Sequence, residues 1–201
     1  MKILIVPTIR EIYNNQFEYC VDLKLINFIK KIFKNSFIEI FNNNKKENYD
    51  LVILAGGNNL IKQSRADKVR NKINDLVYNQ AKKKRTKILG ICHGAHFLSK
   101  KFGFKLKISK NHVGNHTVNF FVKENSFKKI VNSFHKETIE FKKIDKINIF
   151  GVAEDNTIEA FHEKNKKIMG IMWHPERYKN IKDFDKKLIK NFHATNSIIS
   201  R

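Results

Sequence analysis

The 201-residue chain is poor in the residues that staple or punctuate a fold. Cysteine occurs twice, at Cys20 and Cys92, which allows one disulfide at most and excludes a disulfide framework. No CxxC spacing is present, so no thiolate metal knuckle is expected. No stretch approaches the roughly 18 unbroken apolar residues of a membrane helix. The apolar start, Ile3 to Val6, is short and lacks a small-residue cleavage site, so it reads as a first strand and not as a signal peptide. These absences predict a cytoplasmic protein, off the membrane, with both thiols reduced. Acidic residues are also scarce beside basic ones, 19 against 40, for a net charge of +21.

That imbalance raises nucleic acid as a partner. The basic residues, however, are scattered (Lys30, Lys31, residues 82–85, Lys128, Lys129, Lys142, Lys143, Lys186, Lys187) and fall mostly on polar faces and in loops. No aromatic-basic RNA motif and no helix-turn-helix signal accompanies them. With many Asn, Ile and Phe and only two prolines, the surplus reads as the base composition of an A+T-rich genome, and as solubility. Nucleic acid is therefore not the expected partner, although a positive field also suits an anionic small substrate.

Hydrophobic residues make up 41% of the chain, enough for a globular core. The length suits one domain over 1–201. Short apolar runs predict strands at 3–6, 37–41, 51–54 and 87–91, alternating with helical spacing at 20–33, 67–82 and 95–101. In the second helix the expected apolar stripe is Val69, Ile73, Leu76, Val77 and Gln80. The later part is richer in strands, at 117–122, 147–152, 158–162 and 168–172, with a closing helix at 183–197. This β-α-β alternation predicts an α/β fold with a central, mostly parallel sheet flanked by helices.

Three segments carry chemistry. Gly90-Ile91-Cys92-His93-Gly94 lies between a predicted strand and a predicted helix. A nucleophile on such a turn is strained and points out at the carboxyl edge of the sheet. The helix N-terminus favours a thiolate there, and the His93 N–H points to where an oxyanion forms. Gly56-Gly57 ends the strand before, and its backbone, at Gly57, can supply a second donor. Trp173-His174-Pro175-Glu176 ends another apolar run. There His174 can take the thiol proton and return it to a leaving nitrogen, with Glu176 fixing the tautomer.

Together these motifs resemble class I glutamine amidotransferases. The runs Val131-Asn132-Ser133-Phe134-His135, Val152-Ala153-Glu154-Asp155 and Ile158-Glu159-Ala160 resemble the γ-glutamyl hydrolase-like branch. The resemblance spans about residues 50–178 and implies a flavodoxin-like sheet with additional antiparallel strands. It implies Cys92 as nucleophile, His174 as base and acid, Glu176 as orienter, and an oxyanion hole of N–H groups near Gly57 and His93. Gly56, His96, Ser133 and His135 join the expected substrate-binding set. His96 stands where amidotransferases usually carry a substrate-contacting Gln, and Asn156 where a Gly is common. His112 and His116 have metal-ligand spacing but no evident cysteine or carboxylate partner, and 111–116 reads as a loop near the active-site mouth. No metal and no cofactor is expected.

The compact form, composition and charge resemble the enzyme type that hydrolyses γ-glutamyl-CDP-amidate in capsule phosphoramidate synthesis. The expected partner is thus an anionic γ-glutamyl small molecule, with a cytidine nucleotide in its leaving group. A homodimer is compatible with the sequence. Three enzyme alternatives stand beside this: a glutaminase subunit feeding ammonia to a synthase, a γ-glutamyl-γ-aminobutyrate hydrolase, and a protease- or chaperone-like branch in which His93 and an early glutamate, Glu11 or Glu18, serve the thiol. The non-enzyme alternative is a basic nucleic-acid-binding protein on a decayed enzyme fold.

Overall fold

A computed structural model describes residues 1–42, 48–109, 112–122, 125–165 and 167–194. In chain order the elements begin with β1 (Lys2–Val6), β2 (Thr8–Tyr13), β3 (Gln16–Cys20), α1 (Leu23–Ile32), β4 (Phe37–Ile40) and β5 (Leu51–Leu54). There follow α2 (Arg65–Lys83), β6 (Lys87–Ile91), α3 (His93–Lys101), β7 (Leu106–Ile108), β8 (Val113–Val122) and β9 (Asn125–Phe134). The last are β10 (Glu137–Glu140), β11 (Ile147–Ala153), β12 (Thr157–Glu163), β13 (Ile168–Ile171), a 3₁₀ turn (Pro175–Arg177) and α4 (Asp183–Ala194).

Parallel pairing joins the strands in the order β4-β1-β5-β6-β13. By succession along the chain this is the flavodoxin-like order 2-1-3-4-5. The sheet then continues antiparallel through β12, β11, β8 and β9, with β10 and β7 branching from β12. The middle strands β5 and β13 are buried at every position, as strands covered on both faces must be. Alternate residues of β1 divide between two apolar clusters. Ile3 and Ile5 pack with α1 and α4, while Leu4 and Val6 pack with α2 and α3. One cluster therefore lies on each face of the sheet.

Local chemistry sets the helix starts. Asp22 caps α1 through Lys24 N, and Ser64 with Asp67 forms a capping box on α2. The α1 stripe Leu25, Phe28, Ile29 and Ile32 is buried as expected.

Several expectations need correction. The first helix begins at Leu23; Cys20 lies in β3, in a hairpin that turns at Asn14-Asn15, where Asn15 takes φ 65°. The buried stripe of α2 runs through Ala66, Arg70, Ile73, Asn74, Val77 and Ala81, and Leu76 is 45% exposed. The loop expected at 111–116 is strand from Val113 onward; Asn111 lies outside the described residues, as do 195–197 of the closing helix. β9 had no sequence signal because it is a mostly exposed edge strand bearing Lys128 and Lys129. Among the described residues no helix is long and apolar enough to cross a membrane.

Candidate active site

Cys92 sits between β6 and α3 with φ 51° and ψ −104°. This sparsely populated conformation costs about 1–3 kcal/mol and persists only where its surroundings enforce it. They do so here by close approach. A Cβ on Gly90 would lie 2.5 Å from the Gly94 carbonyl carbon, and one on Gly94 would collide with the Leu54 carbonyl oxygen. The Cys92 N–H donates to Ile171 O at 2.9 Å, tying the turn to β13.

Three residues past the end of β13 comes His174. Its Nδ1 lies 2.6 Å from Glu176 Oε1, and its ring also hydrogen-bonds Cys92. With Nδ1 committed to the carboxylate, Nε2 is left for the sulfur. Burial lowers the affinity of this imidazole for a proton. The negative charge and hydrogen bond at Cys92, with those at Glu176, outweigh burial and raise its pKa to about 9. The His174 main chain is held at both ends by one side chain. Its N–H donates to Asn132 Oδ1 at 2.8 Å, and its carbonyl accepts from Asn132 Nδ2 at 2.8 Å.

Gly56 packs against that ring: a Cβ there would lie 2.5 Å from His174 Cε1. Gly57 takes φ 84°, a conformation that suits glycine. Beyond it the loop is pinned from several sides. Asn58 bonds both polar groups of the Ile9 main chain, and Asp67 accepts from Asn58 Nδ2 and Asn59 N. Buried Glu137 accepts from Leu60 N at 2.9 Å and Ile61 N at 2.6 Å. His93 opens α3, so its N–H has no acceptor within the helix.

A cavity of about 590 Å³ reaches Gly57, Cys92, His96, Phe134, His135 and His174. A second, about 530 Å³, reaches Thr8, Arg10, Gly56, Gly57 and His174, and Arg177 borders both.

The structure thus brings Cys92, His174 and Glu176 together, with Gly56 against His174 and Gly57 on the same cavities. His96 and His135 line the cavity, and both ring nitrogens that face the Glu137 carbonyl lie 2.8 Å from its oxygen. Ser133 is fully buried away from the cavity and donates to His112 O at 2.5 Å. The His93 ring faces Asn74 at 3.3 Å and not the thiol. Burial, then the Arg70 and His96 charges, hold its pKa well below the ordinary value. Glu11 bonds Asn15 N and pairs with Arg65. Asn156 takes φ 61°, which accounts for glycine being common there. His112 and His116, expected to have no carboxylate partner, do have one: β12 brings Glu159 to both, at 3.2 and 3.4 Å. Sequence reasoning missed Asn132 and Glu137 as organising residues. Asn132 stood inside a run already singled out, whereas nothing local marks Glu137.

A flavodoxin-order sheet carrying a strained Cys turn beside a buried His–Glu pair defines a nucleophile-elbow α/β scaffold. The chain belongs to the class-I glutamine amidotransferase family, whose model matches residues 12–195. It is 42% identical over 130 residues to the γ-glutamyl-CDP-amidate hydrolase of Campylobacter jejuni, covering 63% of this chain and 62% of that one. It is 32% identical over 110 residues to one subunit of the glutamine-hydrolysing GMP synthase of Picrophilus torridus, covering 52% and 57%. The matches therefore span about six-tenths of each of those relatives. The fold matches a GMP synthase subunit-type protein of Thermoplasma acidophilum with TM-score 0.69, at 18% identity over 96% of this chain and 92% of that one. It also matches a glutamine amidotransferase of Thermotoga maritima with TM-score 0.63, at 19% identity over 87% and 76%.

Proposed function

We propose that the protein hydrolyses a γ-glutamyl amide through a Cys92 thioester and that its substrate is γ-glutamyl-CDP-amidate. The observation that carries the chemistry is the Cys92–His174–Glu176 arrangement at the cavity wall, with 2.6 Å between His174 Nδ1 and Glu176 Oε1. Cys92 Sγ attacks the γ-carbonyl carbon, and the N–H groups of Gly57 and His93 stabilise the oxyanion. As the C–N bond breaks, the His174 imidazolium protonates the leaving nitrogen, giving the free amidate and a γ-glutamyl thioester. Neutral His174 then takes a proton from water, hydroxide adds to the thioester, and glutamate leaves as the thiolate and imidazolium are restored.

The substrate is supported by likeness to the Campylobacter enzyme and by charge. The product of such a reaction would be cytidine diphosphoramidate. A diphosphate-bearing leaving group suits a chain of net charge +21 with Arg10 and Arg177 on the second cavity. His96, in place of a glutamine, would meet the glutamyl group from the first cavity. The reaction is assigned to a free-standing chain in the cytoplasm.

The test is glutamate release from γ-glutamyl-CDP-amidate, glutamine and γ-glutamyl-γ-aminobutyrate by the purified chain. The nucleotide amide should have the highest kcat/KM, and preference for either other substrate overturns the assignment. Likeness to the Picrophilus GMP synthase component supports the second reading, a glutaminase that serves a synthase. That reading predicts glutamine turnover that rises on adding a synthase partner.

A further inference from the structure

We propose that His112, His116, His135 and Glu159 form a site for one divalent transition-metal ion of the zinc class, with all four side chains as ligands. The residues come from separate segments. His112 precedes β8, His116 lies within it, His135 follows β9, and Glu159 is on β12. His112, His135 and Glu159 nonetheless bring their donor atoms together in the interior, and His116 faces the second Glu159 oxygen. His112, His135 and Glu159 are buried, and Glu159 is wholly inaccessible.

The distances also suit coordination. His112 Nδ1 is 3.2 Å and His135 Nε2 3.7 Å from Glu159 Oε1, and His116 Nε2 is 3.4 Å from Oε2. Ligands about 2.0–2.1 Å from a tetrahedral zinc ion stand roughly 3.3 Å apart. The donor atoms of His112, His135 and Glu159 all lie within 4.8 Å of one another. The facing atoms, His112 Nδ1, His116 Nε2, His135 Nε2 and both Glu159 oxygens, are buried and make no well-directed hydrogen bond. So many unpaired polar atoms turned toward one carboxylate are costly unless a cation sits among them.

The outer contacts fix which nitrogen is free. His135 Nδ1 lies 2.8 Å from the Glu137 carbonyl, which can only accept, so Nδ1 carries the proton and Nε2 the lone pair. His112 Nε2 lies 3.0 Å from Asp155 Oδ2 and donates to it. Burial lowers this ring's proton affinity, Glu159 and Asp155 together raise it above the ordinary value, and a cation that displaces the Nδ1 proton meets a lone pair facing Glu159. Carboxylate or carbonyl acceptors behind ligand histidines are the usual orienting partners of metal sites. Imidazole nitrogens with one carboxylate oxygen select zinc-like ions over calcium or magnesium. With four protein ligands in the interior the site is closed and structural, and it fastens β8 and β12 to the cavity wall that His135 lines.

The experiment uses tag-free full-length protein, stripped with chelator and titrated with zinc, in wild type and in Cys92→Ala. The second protein removes the thiol that would otherwise compete for the ion. One equivalent should bind in both and raise the melting temperature of both. X-ray absorption should show nitrogen and oxygen neighbours with no sulfur. His116→Ala, at a half-buried position that tolerates truncation, should keep its circular dichroism and lose at least about 100-fold in zinc affinity. Absence of saturable zinc binding in the wild type overturns the site. So does binding that vanishes in Cys92→Ala or survives unchanged in His116→Ala.

Discussion

Two histidine–carboxylate clusters share one stretch of chain and are built on different principles. Asn132 grips the main chain of His174, Ser133 donates to His112 O, and His135 faces Glu159. At His174 one imidazole meets one carboxylate at 2.6 Å, with a cavity beside it. Every ring nitrogen there has a stated role, and the pKa rises to about 9. Around Glu159 several imidazoles face one carboxylate at 3.2 to 3.7 Å without a well-directed hydrogen bond. At His135 burial dominates, Glu159 offsets only part of it, and the pKa falls to about 4. The comparison teaches that residue type does not set the chemistry. A single oriented pair stores and releases a proton, whereas several rings around one carboxylate can share a cation.

Experiments on the first cluster break this comparison most decisively. Cys92→Ala should lower glutamate release from γ-glutamyl-CDP-amidate on the order of 10⁴-fold or more while leaving the circular dichroism spectrum unchanged. Wild-type turnover in that variant would remove the nucleophile from the mechanism.

Neighbouring residues of the shared stretch sharpen the contrast. Asn132→Ala frees the His174 main chain, and a displacement of about 1 Å at the base is enough for a ~10²-fold loss in kcat. Ser133→Ala, which loses a bond to His112 O, should cost less than about 3-fold in kcat, with its effect on thermal stability instead, at about 1 kcal/mol. Equal kinetic losses in the two variants would contradict the division of labour.

The proton affinity of His174 gives the next test. Its folded-state pKa is raised from 6.5 to about 9. The protonated pair therefore contributes stability that is fully present below pH 6.5 and is lost as pH rises through about 9. Melting temperature followed from pH 6 to pH 10 should show that decline, and Cys92→Ala, lacking the opposing charge, should flatten it. Turnover should fall along the same alkaline limb as the imidazolium is lost. In Glu176→Gln the limb should move down by about one pH unit. An unmoved limb would separate Glu176 from the proton store.

The smallest effect belongs to Arg177, which borders both cavities. Arg177→Ala should raise KM for the nucleotide amide by roughly 5-fold, or about 1 kcal/mol, with less change for glutamine. The difference should shrink in high salt. An equal change for both substrates would place the leaving group elsewhere.

The Cys–His–Glu grouping was legible because each part is local. A Gly on either side of Cys92 and a His-Pro-Glu run are contiguous patterns with one physical meaning. The apolar strands of the parallel sheet were legible for the same reason, being buried on both faces. The exposed hairpin β2–β3 and the edge strand β9 were not, since solvent permits charged residues on both their faces.

The sequence by itself determined the parallel scaffold, the elbow and the identity of the His–Glu pair, because backbone conformation and burial periodicity are written in adjacent residues. Only the tertiary structure decided that Glu137 holds Leu60 and Ile61 across 77 and 76 positions, and that Asn132 steadies His174 across 42. It alone brought His112, His116 and His135 to Glu159. Those contacts depend on strand order and register, and a side chain's neighbours across a sheet are fixed by pairing, which no local pattern records.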